Sequence, residues 1–177
     1  MSGKLTLISS ATASGSSSVE FTSGIDSSYD EYVFYFVDVN PATDAQSFSF
    51  QCGTGSGYGL TVTSTFFQAE HNESDTGSGL SYQTSLDLAQ STSYQKLTQT
   101  IGNGSDECCA GELHLFSPSS TSKVKHFYSK FSSTHYNDRM VNDFTSGYFN
   151  LTTAITQIDF KFASGNFDGN IYMYGVS

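Results

Sequence analysis

At 177 residues the chain has room for one hydrophobic core, or for a core and a short arm. Charged residues supply 14% and aromatic residues 15% (15 Phe, 11 Tyr, no Trp), alongside 31 Ser and 19 Thr. That excludes a disordered chain, which carries dense charge and few aromatics, and a coiled coil, which needs Ala, Leu, Glu and Lys. Seven basic against 17 acidic residues leave a net charge of −10, a poor match to nucleic acid, whose phosphates Lys and Arg must neutralise.

Lys4-Leu5-Thr6-Leu7-Ile8 reads as a short strand, followed by a flexible polar stretch from Ser9 to Ser18. Residues 1–18 are therefore expected to form an N-terminal strand and arm, with Leu5, Leu7 and Ile8 as its anchoring side chains, and residues 19–177 one domain. Val19 to Thr22 alternates again. Glu31 to Val39 is continuously apolar, the pattern of a central strand covered on both faces, and Asn40-Pro41 stops it. Phe48 and Phe50 alternate with Ser47, Ser49 and Gln51. Gly53 to Gly59 is glycine-rich but has neither spacing of a phosphate-binding loop, so turn chemistry accounts for it.

Leu60 to Phe67 reads as a strand, and residues 68–92 are polar and structurally mute, with at most a helical turn near Leu86 to Ala89. Strands resume at Tyr94 to Ile101, Glu112 to Phe116, Lys123 to Phe131 and Tyr148 to Leu151. Ile158, Phe160 and Phe162 alternate with polar residues, Ser164 to Gly169 makes a turn, and Asn170 to Val176 returns. About ten short strands and no amphipathic helix predict an all-β, antiparallel β-sandwich of jelly-roll type.

Catalytic patterns are missing from the sequence. There is no Gly-x-Ser-x-Gly, and His71, His114, His126 and His135 lack the spacing of metal ligands, so neither an enzyme nor a metal or other cofactor is expected. His114, between Leu113 and Leu115, falls on the polar face of its strand. Cys52, Cys108 and Cys109 are an odd set with a vicinal pair, which is no disulfide framework and points to folding in a reducing compartment. No signal-peptide pattern opens the chain, and no apolar stretch is long enough to span a membrane. Four of the seven basic residues, Lys123, Lys125, Lys130 and Arg139, cluster in one segment opposed only by Asp138, which reads either as a solvated strand face with lysines guarding an edge or as a docking patch for an acidic neighbour. Loop tyrosines such as Tyr58 or Tyr82 are the candidates for stacking on a host glycan.

Tyr29-Asp30-Glu31-Tyr32-Val33-Phe34, Asn40-Pro41-Ala42-Thr43-Asp44 and Phe48-Ser49-Phe50 resemble the opening of β-sandwich domains in virion proteins of tailed bacteriophages. Ile158 to Phe162, Ser164-Gly165-Asn166, Asp168-Gly169 and Met173-Tyr174-Gly175-Val176 are similar to their closing hairpin, and Gly111 to Leu115 to a mid-domain strand. The resemblance implies a non-enzymatic structural protein on the virion surface, a capsid decoration or a knob or fibre-like protein. Its partners would be other virion proteins and further copies of itself, with a trimer as the implied assembly. The alternative is a tail-associated receptor- or carbohydrate-binding module.

Overall fold

A computed structural model describes residues 3–177, and every element in it is a β-strand or a connection between strands. Twelve strands run in chain order: β1 (Leu5–Ser16), β2 (Val19–Phe21), β3 (Glu31–Pro41), β4 (Gln46–Gly53), β5 (Val62–Asn72), β6 (Ser78–Tyr82), β7 (Gln95–Ile101), β8 (Cys109–Phe116), β9 (Lys125–His135), β10 (Arg139–Phe149), β11 (Gln157–Phe162) and β12 (Phe167–Val176). All pairings are antiparallel.

Eight strands form one folded ribbon. β1 pairs β12, β2 pairs β11, β3 pairs β8 and β4 pairs β7, so the first four strands meet the later ones in reverse order. The ribbon wraps into two facing layers, β1-β12-β3-β8 and β2-β11-β4-β7, which is the jelly-roll connectivity. Two insertions extend only the first layer. The hairpin β9–β10 adds to β8, and β5 with β6, inserted between β4 and β7, adds to β10. The result is an eight-stranded layer, β1-β12-β3-β8-β9-β10-β5-β6, folded over a four-stranded one, the two being continuous where β9 pairs β7 at His135 and Ile101.

Period-2 alternation decides which side chains enter the space between the sheets. From the large sheet come Phe34, Phe36, Phe127, Phe131 and Phe149; from the small one Phe48, Phe50, Phe160 and Phe162. Phe160 is at the centre, with ring centroids 5.0 Å from Phe36, 5.4 Å from Phe34 and 6.2 Å from Phe48. Tilted and edge-on ring pairs dominate, as the aromatic quadrupole favours. Cys52 and Cys109 are buried here as small apolar side chains, and all three cysteines are free.

Several expectations need correction. The stretch from Ser9 onward is no flexible arm: β1 continues to Ser16, hydrogen-bonded along β12 and broken only by register shifts at Leu7/Ser9 and Ala13/Ser16. Leu5 and Leu7 belong to this edge strand, while Ile8 turns inward at the first shift and packs against the core. Residues 68–92 hold no helix; they finish β5 and form β6. β10 starts at Arg139, well before Tyr148, because its inward residues there include Asp143 and Thr145, which do not read as a core.

Candidate docking face

The four-stranded sheet is covered over the centre of its outer side, with Glu20 exposed and Lys96 and Lys161 half-buried at its flanks. Ser47, Ser49 and Gln51, which point away from the core, are buried as well. Gln51 Nε2 donates to the carbonyls of Leu60, Thr92 and Ser93, which ties two loops down over the sheet. The glycine-rich loop turns back here through positive φ at Gly55, Gly57 and Gly59, a region closed to most side chains. Tyr58 then donates to Glu20 (3.1 Å) and Tyr94 to Asp159 (2.6 Å). Glu20 and Asp159 are direct cross-strand partners, and burial raises the Asp159 carboxyl above its ordinary range. Each carboxylate accepts from a tyrosine, but only Asp159 is buried, at 4% exposure, while Glu20 stays exposed. Tyr58 is thus a tether, and its own hydroxyl is pushed up by burial and by Glu20.

The eight-stranded sheet is open. Its outward side chains line up across strands in continuous rows. One row reads Ser10, Tyr172, Tyr35, Glu112, Lys130, Phe144, Phe67, Tyr82, from β1 to β6. The next reads Leu7, Tyr174, Val33, His114, Tyr128, Ser146, Thr65. Rings stand against one another along these rows: Tyr35 with Tyr174 (5.6 Å), His114 with Tyr128 (4.4 Å, 14°) and Phe67 with Phe144 (4.9 Å, 6°). From the β9 side Lys130 Nζ sits 5.8 Å from the Phe144 centroid. Under this layer Val33 is buried although it points outward.

Charge is distributed unevenly over the face. On the β1-β12-β3-β8 half, His114 Nδ1 bonds Glu31 at 2.6 Å, and its Nε2 lies 3.7 Å from Glu112. On the β9-β10-β5-β6 half, among the described residues, no outward position is Asp or Glu, while Lys130, His126 and His71 are present. In a chain of net charge −10 that half is the exception. Large apolar groups are exposed there too: Leu80 at 75%, Tyr82 at 51% and Tyr128 at 42%.

The basic segment foreseen as a patch is dispersed. Lys130 is on the outer face, but Lys125, five residues earlier, has the opposite parity and is 0% exposed. Its Nζ donates to the carbonyls of Lys123 (3.1 Å) and Leu151 (3.3 Å), and burial lowers its ammonium below the usual lysine range. Arg139 is at the far end of the hairpin, paired with Glu70 at 2.9 Å. Lys123 is in the β8–β9 connection, beside a cleft of about 550 Å³ shared with Asp30, His126 and three serines. Tyr82 is no loop residue either; it ends β6 and donates to Asp87.

Among the described residues there is no group of three or more His, Cys, Asp or Glu placed to hold a metal ion. No protein-family model matches the sequence, and no match to it was found among curated proteins.

Proposed function

We propose that this chain is a non-catalytic structural protein of a virion surface, a capsid decoration or knob-like protein that buries the outer face of its large sheet against a protein neighbour. One observation carries the reading. A jelly roll needs only four strands per layer, yet here four additional strands are spent on one layer alone, and they present rings and hydroxyls to solvent. A fold built around catalysis concentrates polar groups in a concave site. In this chain the carboxylate pair Glu20 and Asp159 has each member held by a tyrosine hydroxyl, with Asp159 buried and Glu20 exposed on the sheet rather than in a concave site. Sheet faces rich in aromatic residues and poor in charge are suited to burial against protein neighbours. Immunogold labelling of intact particles tests the proposal: label over the head supports it, and absence of label from particles refutes it.

A second reading, a tail-associated receptor- or carbohydrate-binding module, draws on the cleft near Lys123, where serine hydroxyls, Asp30 and His126 surround a volume large enough for a sugar unit. Glycan binding by the isolated protein, lost on Lys123→Ala, would favour it; label at the tail tip would agree.

A further inference from the structure

We infer that the outer face of the eight-stranded sheet binds a second copy of this chain, face to face, about a two-fold axis running along the strands between β8 and β9. The inference stands on the face itself and holds or fails whether or not the protein belongs to a virion.

The axis bisects the sheet, with β1-β12-β3-β8 on one side and β9-β10-β5-β6 on the other. Rotation about it sets β8 over the partner's β9 and β3 over the partner's β10. Each copy's Lys130 then meets the other's Glu112, twice over, because these residues are direct neighbours on either side of the axis. Tyr35 comes to face Phe144, and His114 to face Tyr128, by the same operation. The half that carries Glu31 and Glu112 covers the half whose strands point no carboxylate outward, Asp75 and Asp87 meeting its rim only at His71 and Tyr82, so complementarity is built into one surface, as an isologous contact requires.

Size agrees. Eight strands about 4.8 Å apart, with three outward residues on each about 6.8 Å apart, span roughly 38 by 20 Å, or about 800 Å² per copy. That is about one side of a standard stable interface, and two such faces pack aligned across about 10 Å. Ring arrangement favours protein over sugar as the occupant. A sugar stacks on a free, flat aromatic face, whereas one face of Phe67 and one of Phe144 are taken up by each other and Lys130 Nζ sits 5.8 Å from the Phe144 centroid.

Sedimentation velocity on the full chain over a concentration series tests this. The expected result is a monomer–dimer equilibrium that Lys130→Glu weakens by about tenfold or more, since like charges then oppose across the interface. Glu112→Lys should weaken it similarly, and combining the two exchanges should restore it. Lys161→Glu, the same charge reversal on the opposite sheet, should leave it unchanged, and circular dichroism verifies that each variant is folded. A monomer at every concentration, a trimer, or a dimer indifferent to Lys130→Glu would overturn the inference. So would a dimer that Lys161→Glu breaks equally.

Discussion

Replacing Asp143 by Asn should stabilise the fold most at pH 8, by less than half as much at pH 5, and hardly at all below about pH 4. Asp143 points inward from β10 and is 0% exposed. The Gln99 backbone N–H donates to its Oδ2 at 2.9 Å, while Oδ1 and the hydroxyls of Ser129 on β9 and Thr145 on β10 have no partner. Burial pushes the carboxyl up to about 7, and the unfolded chain titrates it near 3.8. Between those two values the folded protein holds a proton that the unfolded protein has released. Stability therefore falls as pH rises through the window and is fully present only below it. At about 1.36 kcal/mol per unit, the interval amounts to about 4 kcal/mol of lost stability by pH 8. Asn retains an oxygen for Gln99 N–H, and its amide can donate to the unpartnered oxygens, without ever ionising. His135, which burial depresses and which loses stability in acid, is common to both proteins and cancels in the difference. Urea unfolding of wild type and Asp143→Asn from pH 5 to pH 8 measures it. A difference independent of pH, or one that grows toward acid, would refute the reasoning.

Other consequences follow from the same packing. Phe160→Ala empties the centre of the ring cluster and should cost about 3–5 kcal/mol in urea unfolding at constant m-value. Lys125→Ala removes a buried stem and two hydrogen bonds to carbonyls and should cost about 2 kcal/mol, whereas exposed Lys130→Ala should stay within about 0.5 kcal/mol. Thermal unfolding separates the two. Tyr94→Phe strips the buried Asp159 of its 2.6 Å donor and should cost about 1–3 kcal/mol, with faster proteolysis of the loop it anchors.

Much of this architecture was legible because a sandwich core imposes a period of two. Phe48/Phe50 and Ile158/Phe160/Phe162 alternate cleanly, and they are the inner face of the small sheet. His114 was correctly placed opposite Leu113 and Leu115 for the same reason. Where both sides of a strand are alike, the period disappears. β6 is an edge strand with every residue exposed, so Ser78-Gly79-Leu80-Ser81-Tyr82 has nothing to alternate against. The start of β10 hides because its inward side chains are polar. The basic patch failed on parity: residues 125 and 130 are an odd number apart, so one strand sends them to opposite faces. The aromatic rows depend on register between strands distant in sequence, β6 with β5 and β9 with β8, which composition and local pattern do not encode.

The most direct measurement is a cryo-EM reconstruction of particles carrying the protein, at a resolution that places its strands. The account predicts the outer face of the eight-stranded sheet buried, with the Lys130 and Glu112 row in contact with a neighbour and the loop-covered small sheet turned away. A reconstruction in which that face is open to solvent, with the protein attached through its small sheet or its loops, would contradict it.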